Sequence, residues 1–208
     1  MTPHDKPKRI LALDVRPRSV GYVVFEGRDR LLDWGVHSFR SGVNAVRIPL
    51  GTKIATLLEY FQPAVVVTQK PPSREKVNRE RTQKMLELIR RKARLRGIQT
   101  HVFKRRAARN LFAGEERMTK HKIATVLAQR FAELAPLLPP ERKCTESEDY
   151  RMSIFDALAC GAAYFGPLAP AATSPAPQPL TLSRAATGFE GLGWRRRFLF
   201  RQRGRSSP

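Results

Sequence analysis

The sequence predicts an α/β domain: a mixed five-stranded sheet, three antiparallel strands and then parallel ones, flanked by helices. Three observations predict it. Residues 9–39 read as three strands joined by short turns, an antiparallel meander. "PAVVVTQK" then holds four consecutive small apolar residues, Ala64 to Val67, the pattern of a strand covered on both faces and hence of a central parallel one. From residue 44 onward, apolar spacing alternates between helix and strand, giving the order β-β-β-α-β-α-β-α-α.

Each element has its own signal. Ile10 to Leu13 with Val15, and Val20 with Tyr22 to Phe25, form two strands around the turn Arg16-Pro17-Arg18-Ser19, and "RLLDWGVHSF" (30–39) supplies the third. Over residues 44–61, Val46, Leu50, Ile54, Leu57, Leu58 and Phe61 recur at helical spacing. Residues 75–96 predict a long basic helix with the stripe Thr82, Met85, Ile89 and Ala93, stopped by Gly97; "IQTHVF" (98–103) follows as a strand. Residues 119–134 predict a helix behind Thr119 as cap, burying Ile123, Val126, Leu127, Phe131 and Leu134 and ended by prolines. The last helix is predicted to start at Thr145, with Glu148 completing a capping box, and to close at Gly166-Pro167.

The domain is thus expected over residues 1–166. Residues 167–208 turn to Pro, Ala, Ser and Thr, with too few large apolar residues to order themselves. They read as a disordered linker leading to a basic aromatic tail in which Trp194, Phe198 and Phe200 lie among Arg195, Arg196, Arg197 and three further arginines. Such a tail suits either a nucleic-acid arm or a merely solvated segment. The chain holds 39 Lys+Arg against 18 Asp+Glu, a formal +21, which points to a polyanionic partner and to nucleic acid first. No apolar run of membrane-spanning length and no signal-peptide pattern is found, so the expectation is a cytoplasmic protein without a membrane partner. Cys144 and Cys160 lack the spacing of a disulfide framework or a zinc site.

Asp14 is the one carboxylate in "RILALDVRPRSVGYVVF", and it falls at a strand end. Burying it demands a partner or a cation. A salt bridge to Arg16 or Arg18 would satisfy it, and so would a metal ion if other acids converge on the same point.

"LALDVRPRSVGYVVF", with Gly21 after the turn, resembles the first hairpin of the RuvC-type Holliday-junction resolvases. "FDALACGAAYF" resembles the final helix of that family, and the element order is that of the ribonuclease H-like fold. The resemblance spans about residues 9–166. It implies a metal-dependent endonuclease of DNA recombination and repair that cuts branched DNA, with Asp14 and Asp156 as ligands of Mg²⁺ or Mn²⁺. Hard oxygen donors suit such ions, and a pair of ions about 3.5–4 Å apart can activate water and stabilise the leaving oxygen.

Two positions depart from the pattern: Gln69 stands where a Glu is expected, and Ser153 where a second helix acid is expected. Asp149, seven residues before Asp156 on the predicted helix, or Glu148, would be the replacement acid, making Asp14, Gln69, Asp149 and Asp156 the candidate catalytic set. The alternatives stay open: Glu148 and Asp149 also suit a helix first turn, and Asp156 could pair with Arg151 or Arg106.

Between Lys70 and Arg109, fifteen Lys/Arg face only Glu75, Glu80 and Glu87. Lys70, Arg74, Lys76 and Arg79 follow the Gln69 strand, and Lys104, Arg105 and Arg106 follow the next one, so these would hold phosphates at the rim of a site built on the strand ends. A solvated face is the competing account. Three functions compete on these grounds: an endonuclease acting on branched DNA, a catalytically degenerate nucleic-acid-binding protein, and an RNA-processing nuclease similar to the YqgF family. A kinase of actin-like topology is disfavoured because "DVRPRS" has no Gly-rich phosphate turn. A homodimer, suited to a symmetric junction, is left open.

Overall fold

A computed structural model describes residues 8–38, 50–70, 76–104, 112, 118–142 and 147–166. Its strands are β1 (Arg9–Arg16), β2 (Ser19–Glu26), β3 (Arg30–Ser38), β4 (Val65–Gln69) and β5 (Gln99–Phe103). They form one sheet in the order β3-β2-β1-β4-β5. The first three strands pair antiparallel, and β4 runs parallel to both β1 and β5, as the sequence predicts. Helices α1 (Leu50–Phe61), α2 (Lys76–Arg94), α3 (Lys120–Arg130) and α4 (Met152–Phe165) cover it, with a 3₁₀ turn over Ala132–Leu137.

Strand alternation sorts the core into two layers. Ile10, Ala12, Val23, Phe25, Val65 and Val67 face α3 and α4, whereas Leu11, Leu13, Val15, Val24 and Val66 face α1 and α2. By the same period of two, Asp14, Arg16 and Gln69 belong to the α4 side. All five residues of β4 are buried, as a strand covered on both faces requires.

α4 is apolar on nearly every side, with Met152 to Phe155 and Ala157 to Ala163 buried, which is the composition of a helix sunk into the core. Two glycines let it sit close. A Cβ on Gly21 would overlap the Ser153 carbonyl and hydroxyl, and one on Gly161 would overlap the Phe25 ring. Phe25 in turn meets Phe131 edge to face, with centroids 6.2 Å apart.

Several boundaries differ from expectation. Residues 39–49, which include the first third of the helix predicted over 44–61, lie outside the described residues. On α2 the fully covered stripe is Thr82, Leu86, Ile89 and Ala93, with Leu86 in place of Met85, a consequence of one residue's rotation about the helix. Val126 on α3 is 41% exposed, facing away from the layer that buries Ile123 and Leu127. The final helix starts at Met152, so Glu148 completes no capping box; Thr145 lies outside the described residues. The Asp149 side chain takes the Arg151 backbone N–H at 2.8 Å, and the amides of Met152, Ser153 and Ile154 bond three residues back, a local turn that competes with helix over this stretch. Thr119 does cap α3, accepting from the Lys122 amide at 3.2 Å. No helix among the described residues is long and apolar enough to cross a membrane.

Candidate active site

β1 and β4 both end on the same edge of the sheet, and their register, with Leu13 opposite Thr68, sets Gln69 level with Asp14. Asp14 pairs with Gly21 of β2, the residue against which α4 begins. This close approach brings the Ser153 hydroxyl to Asp14, where it donates at 3.1 Å. One turn on, the Asp156 backbone carbonyl accepts from Gln69 Nε2 at 2.8 Å.

Three carboxylates converge here on one guanidinium. Arg16 donates from Nε to Asp14 at 2.6 Å, from Nη1 to Glu148 at 2.9 Å and from Nη2 to Asp156 at 2.9 Å. Lys120 Nζ, at the start of α3, reaches Glu148 at 2.6 Å and Asp156 at 2.9 Å. The Asp14 side chain is only 2% exposed, and the others are partly open to solvent. Burial works against the charge on Arg16, but Asp14, then Asp156 and Glu148, outweigh it and hold the guanidinium above the ordinary arginine pKa. One turn along α4, burial and then the Asp14 and Asp156 charges push the Cys160 thiol well above its usual range, so it stays protonated.

Asp149 does not join this group. Its carboxylate is held by Arg151, at 2.7 Å from Nη2, and that hydrogen bond holds its pKa below the usual carboxylate value. The predicted shared helix face fails because Asp149 precedes the helix. Glu148, one residue earlier, points into the cluster instead. Asp156 pairs with Arg16 and Lys120; Arg151 is turned to Asp149, and Arg106 lies outside the described residues. Of the expected phosphate-binding cations, Lys70 and Lys104, directly after β4 and β5, are exposed, as is Arg79 in the first turn of α2, which Lys76 opens. Arg74, Arg105, Arg195, Arg196 and Arg197 lie outside the described residues.

Sequence reasoning holds a salt bridge from Arg16 or Arg18 to Asp14 only as the alternative to a metal; the structure supplies Arg16, and its bonds to Glu148 and Asp156, like the whole of Lys120, were missed. A signal existed for the lysine: a cation in the first turn of a helix opposes the macrodipole, so it needs acids nearby.

Among the described residues, no three His, Cys, Asp or Glu side chains close around one point as a metal site requires. Arg16 and Lys120 stand between the carboxylates. The donor set is nonetheless chemically that of a hard cation, three carboxylates around one guanidinium, and a divalent ion held by all three would need that guanidinium to leave and the carboxylates to draw closer. The set does not suit two ions, because the remaining positions are a neutral amide, Gln69, and a hydroxyl, Ser153.

No family model and no curated protein matches the sequence. Among solved structures, the chain resembles Thermus thermophilus RuvC at 16% identity with a TM-score of 0.55, over 76% of this chain and 93% of that one. It also resembles T. thermophilus RuvC in complex with Holliday junction substrate, at 15% identity and a TM-score of 0.53, over 76% and 92%. At such identities the likeness establishes the fold: the RuvC-like, ribonuclease H-like architecture expected from the two end motifs is the one observed.

Proposed function

We propose that this chain is a structure-selective endonuclease that binds branched DNA and hydrolyses its backbone with the help of one divalent cation, Mg²⁺ or Mn²⁺. The observation that carries the reading is the convergence of Asp14, Glu148 and Asp156 on a single guanidinium at the carboxyl ends of β1 and β4. In parallel sheets that edge is where ligands bind. Asp14, Glu148 and Asp156 would hold the ion, which when bound would polarise a phosphoryl oxygen and acidify a water.

The protein's own groups do the remaining work. Ser153 orients the Asp14 carboxylate, and Gln69 fixes the α4 backbone at Asp156. Lys120 is a second cation at the centre, placed to balance charge that develops on a phosphate. Lys70, Arg79 and Lys104 take flanking phosphates, as would the tail arginines Arg195 to Arg197. Such contacts are blind to base sequence, so the shape of the DNA supplies selectivity. That one of the similar proteins was solved with a Holliday junction supports a branched substrate.

The test is incubation of a synthetic four-way junction and a linear duplex of the same sequence with Mg²⁺ or Mn²⁺. The junction should be cut in preference, and Asp14→Asn should slow cleavage about a hundredfold. Equal rates in both proteins would overturn the assignment. A second reading, binding without hydrolysis, is favoured by the neutral Gln69 and Ser153. Cleavage acquired only on Gln69→Glu would establish it. Preference for structured RNA over the junction in the same assay would move the substrate to RNA.

A further inference from the structure

The three nitrogens of one arginine each bind a different carboxylate, and that arrangement has a consequence for how the centre takes up metal. Asp14 and Asp156 each offer Arg16 a carboxylate oxygen within 2.9 Å, from strand and helix, and Glu148 closes the third side from the segment before α4. With Lys120, which pairs with Glu148 and Asp156, the group comprises three negative and two positive charges, each within ion-pair distance of an opposite one. The carboxylates are therefore compensated to within one charge without a metal. A divalent ion held by all three carboxylates would have to displace the guanidinium that contacts all three.

We propose that Arg16 is an exchangeable internal counter-ion, occupying the position of the divalent cation between Asp14, Glu148 and Asp156 and competing with it. This rests on the metal-site reading above and adds what sets its occupancy. Exchange of Arg16 for a divalent ion would change the net charge of the group from −1 to 0, an electrostatic gain set against the cost of dehydrating the ion. Arg16 lies at the end of β1 beside the Pro17-Arg18 turn, with its side chain one-fifth exposed, so the guanidinium has solvent to move into. The arrangement also lets the domain fold without metal, since the buried Asp14 never lacks a cation.

The experiment measures Mn²⁺ binding by the electron paramagnetic resonance signal of the free ion, and Mn²⁺-dependent thermal unfolding, on the full chain. Wild type, Arg16→Gln, Arg16→Lys, Asp14→Asn and the double variant Arg16→Gln/Asp14→Asn are compared. Arg16→Gln should bind Mn²⁺ about tenfold more tightly than wild type, within the usual range for coupled ligands. Its melting temperature should be lower than wild type in chelator and rise more with Mn²⁺. Arg16→Lys keeps the charge without the three-way contact and should fall between; it serves if Arg16→Gln does not fold without metal. The double variant should lose the tight binding.

Arg16→Gln and Arg16→Lys binding no tighter than wild type would overturn the competition, while Asp14-dependent binding in wild type would leave the metal site intact. Tight binding that persists in the double variant would instead show that the ion sits elsewhere, and the metal-site reading would fail with the inference.

Discussion

The acidic centre and the outer face of α2 are both densely charged, and they are built in opposite ways. In the centre, residues as far apart in sequence as Arg16 and Asp156 meet within 2.9 Å, and Asp14, Glu148, Asp156, Arg16 and Lys120 each face an opposite charge. α2 carries eight cations against Glu80 and Glu87, and among the described residues no ion pair reaches it. Compensation inside the fold helps to hold β1, α3 and α4 together. Uncompensated like charge along one helix is repulsive, and an external polyanion relieves it. The contrast separates charge that serves the structure from charge that the proposed function assigns to binding.

Removing the buried member of the centre should have the largest effect. Asp14→Ala strips Arg16 and Ser153 of their acceptor and is expected to lower the unfolding free energy by about 3 kcal/mol, measured in urea. A loss within experimental error would break the idea of internal compensation. Next, Gly21→Ala sets a methyl group against Ser153 and should cost about 1–3 kcal/mol, read as a fall in melting temperature. Wild-type melting would mean that α4 does not seat on β2 as described.

Arg81→Gln and Arg91→Gln, both exposed on α2, should leave stability unchanged within about 0.5 kcal/mol. Each should reduce the slope of log affinity against log salt for junction DNA by about 1, measured by fluorescence anisotropy. An unchanged slope would remove α2 from the interface.

The smallest effect belongs to Asp149→Asn, at about 0.5 kcal/mol, because its pair with Arg151 is local and roughly one-third exposed. Its pKa is lowered in the folded state, so its contribution is present above the ordinary value of 3.8 and lost as pH falls through the folded value. The stability difference from wild type, followed by thermal unfolding, should therefore vanish in acid. Glu148→Gln, which removes a partner of both Arg16 and Lys120, should weaken Mn²⁺ binding where Asp149→Asn does not.

The fold was legible because its signals are local and repeated. The β1 run, the four small apolar residues before Thr68, Gly97 with its φ of 68° and the Thr119 cap each identify an element from a few neighbouring residues. The site was legible in part. Asp14 and Asp156 stand out as single acids among apolar neighbours, and the two end motifs made their meeting an expectation. The choice between Glu148 and Asp149 was not legible, since periodicity alone extends the last helix back through both. The turn closed by Asp149 on Arg151 decides where that helix starts, and so which acid faces the centre.

By itself, then, the sequence determined the sheet and its two layers, because a period of two puts Ile10, Ala12, Asp14 and Arg16 on one side of β1 however the rest of the chain arrives. It also determined the excess of positive charge, which no folding can cancel. Only the tertiary structure decided what Arg16 and Lys120 are for. Apart from Asp14, two residues from Arg16, their partners lie 28 to 140 residues away, and the meeting depends on how closely α4 settles onto the strands at Gly21 and Gly161, a matter of packing in three dimensions.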